Sequence, residues 1–189
     1  DPWISDYDLY KPEIDIFGIK INYGLNEINW HLDIFSGVEF PLKFAKNINI
    51  QINPEASAKV VWEINRLQFL PHIALNIKKT GSKHYIDQFI KINNSWIESN
   101  PYLIGINWYS NIEVNIRLIN WAVCWEILDI DQLRKQDENF RNFIDFRMVP
   151  SIYQHCLYSY QNPSKYSSSN NHLIAEYAGL YIASSKWEF

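Results

Sequence analysis

Ser167-Ser168-Ser169-Asn170-Asn171-His172-Leu173-Ile174-Ala175-Glu176-Tyr177-Ala178-Gly179-Leu180-Tyr181-Ile182-Ala183 reads as one helix, from its mouth to its packing face. A serine can accept hydrogen bonds from the free N–H groups of a first helical turn, so the helix is expected to begin near Asn170, with Asn171 and His172 in that turn. Ala175, Ala178, Gly179 and Ala183 make a small-residue flank that a second helix can approach closely, while Leu173, Ile174, Leu180 and Ile182 supply apolar contact. Two amides and an imidazole then stand at the positive end of a helix. A plainer account is a well-capped helix with His172 and Glu176, one turn apart, as a surface ion pair. The same two residues could ligate a metal, but no third His, Cys or Asp lies nearby, and neither metal nor other cofactor is expected.

Upstream the helical period persists back to Pro54. Glu55 to about Lys79 carries an apolar stripe that Pro71 should kink or break, and Thr80-Gly81-Ser82 ends it. Lys83 to Glu98 is a second helix, stopped by Asn100-Pro101. From about Trp108 to Leu128 apolar residues go nearly all round, as in a buried helix, yet Ser110, Glu113, Arg117 and Asn120 fall on one face. Either Glu113 and Arg117 bridge internally or the stripe lines a wet groove; Ser110 and Asn120 on the same line favour the groove. Lys59, Glu63 and Arg66 repeat the idea on the first helix, where an ordinary exposed pair explains them equally well. Asp129 to Glu138 reads as a polar connection, Asn139 to Tyr160 as a fourth helix disturbed at Pro150, and Gln161 to Ser169 as a serine-rich loop. Helix pairs joined by short turns give an all-α fold of stacked hairpins over 54–189. Residues 1–53 differ: Gly18, Gly24, Gly37, Pro2, Pro12 and Pro41 interrupt short alternations such as Ile19-Lys20-Ile21 and Ile48-Asn49-Ile50-Gln51-Ile52. They read as an irregular arm with strand-like pieces, packed on the helical body.

The chain has 189 residues, 47% hydrophobic, enough for a sizeable core. Trp 8, Tyr 12 and Phe 10 exceed what core packing requires, which leaves two readings, a helical core filled by rings or a sugar-binding groove. A formal net charge of −4 argues against a nucleic-acid partner. Cys124 and Cys156 make no disulfide scaffold, and no apolar run is long enough to span a membrane. An opening at Asp1-Pro2-Trp3 fits removal of a signal peptide as well as other trimming, so the compartment stays open, and the abrupt Trp187-Glu188-Phe189 reads as the front of a longer chain.

Val61-Trp62-Glu63-Ile64-Asn65-Arg66, Thr80-Gly81 with Tyr85, Trp96 with Asn100-Pro101, Gly105-Ile106-Asn107-Trp108 with Glu113 and Arg117, Asn120-Trp121, and Asn170-Asn171-His172-Leu173-Ile174 with Glu176 and Gly179-Leu180 resemble, in order and spacing, the helical half of heparinase II/III-type polysaccharide lyases. The resemblance runs from roughly Asn29 to Ala183. It implies the first part of an incomplete (α/α) toroid, which in that family precedes a β-sandwich, and β-elimination on a uronic-acid-containing polysaccharide. By similarity Asn171 and His172 neutralise the substrate carboxylate, His172 also serving as base for one C5 epimer. Glu63, Arg66, Asn107, Trp108, Glu113, Arg117 and Glu176 become groove residues that position and stack with sugars.

The resemblance also departs from the family. The family's acid tyrosine and a further histidine lie beyond the Asn-His pair, outside 1–189, so this chain alone is expected to bind weakly and catalyse poorly, its partners being an acidic polysaccharide and the remainder of its own longer polypeptide. Tyr177 and Tyr181 do not occupy the family tyrosine's place. A non-catalytic carbohydrate-binding module and a structural helical-repeat scaffold are the competing functions.

Overall fold

A computed structural model describes residues 11–23, 27–51, 54–165 and 170–188. The chain is mostly helical, with a two-stranded antiparallel hairpin near its start. Strands β1 (Glu13–Ile16) and β2 (Ile19–Asn22) pair with Ile14 opposite Ile21 and Ile16 opposite Ile19. The alternation at 19–21 therefore forms a strand. That at 48–51 does not: Ala45–Asn47 is a single 3-10 turn, and Ile52 lies outside the described residues.

Helix α1 (Ala58–Asn65) ends earlier than the apolar stripe implied, because Leu67 is buried with a φ of 59°, outside the helical region. Helix α2 (Leu70–Thr80) restarts with Pro71 in its first turn, where a missing N–H costs nothing, and ends at Gly81 with a φ of 61°. Helix α3 (Lys83–Ser99) follows, then a 3-10 turn at Ile106–Trp108 and α4 (Asn111–Ile127). The segment expected to be a polar connection is helical instead. Asp129 and Asp137 each accept from a backbone N–H three residues on, starting α5 (Ile130–Gln136) and α6 (Glu138–Phe143). The disturbance expected at Pro150 takes the form of a π-helical turn over Ile144–Met148, after which α7 (Val149–Gln161) carries Pro150 in its first turn. Helix α8 (Asn171–Lys186) closes the chain; the serines expected to cap it lie at 167–169, outside the described residues.

These helices form two layers. Gly179 meets Asn115, Lys186 pairs with Glu126 and Trp187 meets Trp125 edge-on at 5.6 Å, so α8 runs parallel to α4. Asn115 donates to Ser159 and Arg117 to His155, while Trp121 donates to Asn93 and Trp108, just ahead of α4, to the Asn100 carbonyl; in both sets the sequence numbers run in opposite senses, so α7 and α3 are antiparallel to α4. The excess of rings goes largely into this core: Trp30, Trp96, Trp108 and Trp121 are fully buried. A buried indole needs an acceptor for its N–H, and Ser95, Asn65, Asn100 and Asn93 supply them at 2.9–3.1 Å. No helix among the described residues is long and apolar enough to cross a membrane.

The N-terminal arm is tied to the body. Ile16, Tyr23, Trp30 and Ala45 join the main core. Asp33 accepts from the Ser57 N–H at 2.8 Å in front of α1, and burial that would raise its carboxyl is outweighed by the N–H groups of Ser57, Phe35 and Ser36, which hold it below the usual carboxylate range. Ala45 donates to Leu103 and Gly105 to Lys43, which lays the turn at 43–46 on the loop that leads into α4.

Candidate functional site

The parallel layer puts the N-terminal ends of α4 and α8 at one end of the molecule, together with the C-terminal ends of α3 and α7. Asn171 and His172 occupy the first turn of α8 and are exposed. The rest of that helix is fixed. Glu176, 1% exposed, accepts from the Ser164 N–H at 2.9 Å and its hydroxyl at 2.6 Å, tying the chain just beyond α7 to α8. Its carboxylate is thereby engaged by Ser164, not by His172. One turn further, Gly179 lies against Asn115, and no side chain fits between the helices there.

The polar stripe of α4 is taken up inside the protein by partners from other elements. Glu113, 3% exposed, receives a two-pronged contact from Arg66, Nε at 2.8 Å and Nη2 at 3.1 Å, and Arg66 also reaches Glu63 at 2.6 Å. Glu113 strengthens the Arg66 charge, and both Arg66 and Glu63 stay half-buried at the protein surface. Asn120 donates to the Arg66 carbonyl at 2.8 Å, and Ser110 precedes the first turn of α4. Arg117 does not pair with Glu113. It is fully buried, donates from Nε to His155 at 3.0 Å and from Nη2 to the Asn107 carbonyl at 2.8 Å, and stands 4.7 Å from the Trp96 ring centre. His155 Nε2 is therefore the acceptor, and its Nδ1–H donates to the Ser151 carbonyl at 2.7 Å. Burial first, and the Arg117 charge second, press this imidazole well below its ordinary pKa.

Among the residues expected to line a groove, Asn107, Trp108, Glu113, Arg117 and Glu176 are thus interior, and Glu63 and Arg66 reach the surface. Asn107 donates to Asn100 and to the Trp30 carbonyl, and the Trp108 carbonyl accepts from the Tyr158 hydroxyl at 2.5 Å.

Sequence reasoning had not singled out Lys46, Tyr109 or Tyr158. Lys46 donates to the Tyr109 carbonyl at 2.6 Å, with its ammonium 5.3 Å from the Tyr109 ring centre and 5.6 Å from that of Tyr158; burial lowers its pKa, and Glu176 on α8 opposes that shift. Tyr109 in turn stacks with Trp62 at 6.4 Å, both rings half-buried. No local signal marks this lysine: it reaches the site because the arm is folded onto the 101–105 loop.

Residues 17–187 match the protein family described as heparinase II/III N-terminus. No curated protein and no solved structure matches the chain.

Proposed function

The chain belongs to the heparinase II/III N-terminus family, and from that premise we propose that it is the helical part of a polysaccharide lyase acting on uronic-acid-containing glycans by β-elimination. Residues 54–189 are read as the first part of an (α/α) toroid and 1–53 as the arm that packs on it; the two antiparallel helix layers and the buried arm residues support this.

The reaction removes the C5 proton next to a carboxylate and breaks the C4–O bond, leaving an unsaturated sugar. The C5 proton is very weakly acidic, so negative charge building on the carboxylate has to be met by donors already in place. An Asn171 amide and a His172 imidazole in the first turn of a 16-residue helix suit that task, because the free N–H groups there add positive potential. His172 is assigned the further role of base for one C5 epimer. Glu63 and Arg66 are assigned to the sugar-facing rim, and the interior Asn107, Trp108, Glu113, Arg117 and Glu176 to holding that rim and α8 in place. Tyr177 and Tyr181 are not assigned as the acid for the leaving oxygen.

A single observation carries the reading: Asn171 and His172 are both exposed on a helix whose next two turns are locked by Glu176 and Gly179. Full-length protein carrying this chain, given a panel of uronides, should produce the ultraviolet absorbance of a conjugated uronate. Asn171→Ala and His172→Ala should each abolish it, with unfolding free energy changed by less than about 0.5 kcal/mol, as for exposed positions generally. Full activity in both variants would refute the assignment, and a protein that binds uronides without yielding unsaturated product would be a carbohydrate-binding module.

A further inference from the structure

Beside Lys46 lies a cleft of about 230 Å³, walled by Phe44, Tyr102, Tyr158, Gln161 and Asn162 with Lys46 on its lining. It opens between the C-terminal end of α7, the arm turn at 43–46 and the loop that follows α3. Its volume is below the roughly 300–1,000 Å³ of pockets for drug-sized ligands, and suits one monosaccharide unit.

Three features bear on what would enter. The accessible rings of Phe44 and Tyr102 provide apolar faces on which a pyranose stacks, while Tyr158 is buried behind them, and the Gln161 amide and the Asn162 side-chain oxygen face its hydroxyls, the Asn162 amide nitrogen donating to the Tyr158 carbonyl. Lys46 contributes a cation that lies within ion-pair distance of no carboxylate among the described residues. Its nearest acidic influence, Glu176, already accepts twice from Ser164. One ammonium hydrogen goes to the Tyr109 carbonyl, which fixes the group between two rings and leaves two donors. A cation held in this way at the edge of an aromatic cleft is matched by an anion carried on a sugar ring.

We propose that this cleft is a subsite for one carboxylate-bearing sugar residue, stacked on its rings and paired through its carboxylate with Lys46. The proposal rests on the polyuronide reading of the site. It extends that reading to a position that Asn171 and His172 do not occupy, and assigns to Lys46 the recognition of acidic over neutral glycan.

The test is calorimetric binding of acidic oligosaccharides (oligogalacturonate, alginate and heparan sulfate oligomers) to the full-length protein, each beside its carboxyl-reduced counterpart. The acidic form that binds best should be held about ten- to a hundredfold more tightly than its reduced form, the scale of one charge-assisted contact. Lys46→Met should weaken the acidic form by a similar factor and leave the reduced form unchanged. Lys46→Arg should restore most of the difference, and melting temperatures of both variants serve as the folding control. Unaltered acidic binding in Lys46→Met, an equal loss for both forms, or no binding of any acidic oligomer by the unsubstituted protein would each overturn the subsite. Unsaturated product is read separately by absorbance, so Lys46-dependent binding without product would reject the lyase reading and keep the subsite.

Discussion

Gly179 shows how much one residue governs here. A Cβ at this position would stand 2.7 Å from Asn115 Cβ and closer still to its side-chain oxygen. Asn115 cannot swing away, because its amide donates to Asn111 and to Ser159 at 2.7 Å and its oxygen accepts from the Ser159 hydroxyl at 3.0 Å, all in buried surroundings. Gly179→Ala gains up to about 1 kcal/mol of helix propensity but forces overpacking that costs about 1–3 kcal/mol. A net loss of about 1–2 kcal/mol in urea unfolding is expected, and Gly179→Ala with Asn115→Ala should recover part of it, since the two residues share one contact. The small-residue flank was legible in the sequence. Its partner was not, because Asn115 lies on a different helix and looks like any polar residue of α4.

At the level of elements, the helix starts of the 129–138 segment separate two kinds of cap. Among the described residues the Asp129 carboxylate has the Gln132 N–H of α5 as its donor, whereas the Asp137 carboxylate accepts from Phe140 at 2.9 Å and also binds Lys83 of α3. Asp129→Ala should cost about 1 kcal/mol, the ordinary value of a cap. Asp137→Ala should cost about 1–2 kcal/mol, because a half-exposed ion pair adds only some 0.2–1 kcal/mol, and Lys83→Met in the Asp137→Ala background should add only the loss of its pair with Asp87, about 0.3–0.5 kcal/mol, when urea midpoints are compared. In the sequence this segment reads as a polar connection because its short helices have no room for apolar periodicity, and their evidence is the two aspartates alone. The longer helices α2, α3, α4 and α8 were legible to within a few residues, because their buried faces repeat every three or four positions. The break after α1 comes ahead of Pro71 because of Leu67, whose φ no pattern betrays. Placement divides in the same way. The first-turn position of Asn171 and His172 could be read from a helix start, while the partners of Glu113 and Arg117 come from α1 and α7, at separations that local spacing does not encode.

Across the whole molecule the interior holds a charge network with one member unable to take a proton cheaply. His155 is enclosed by the rings of Trp96, Trp108 and Trp121, faces the Arg117 guanidinium from α4, and gives its only N–H to Ser151. Charging it would put two cations in contact and remove the acceptor for Arg117 Nε, so it stays neutral when folded. In the unfolded chain it titrates near 6.5. Between that value and its much lower folded pKa the unfolded state binds the extra proton, and stability therefore falls as pH drops, by about 1.4 kcal/mol per unit. Asp33 and Asp137, whose folded pKa values are depressed, act in the same sense in a lower window: their stabilisation is present above about pH 3.9 and lost as pH falls through their folded values. Acid destabilisation should consequently begin near pH 6.5, above the window in which Asp33 and Asp137 act. His155→Gln keeps an acceptor for Arg117 and has nothing to titrate. Urea unfolding from pH 7.5 to 5 should show a steep loss in the unsubstituted protein and a much flatter profile in this variant; parallel profiles would mean that the buried imidazole is not what sets the acid limit.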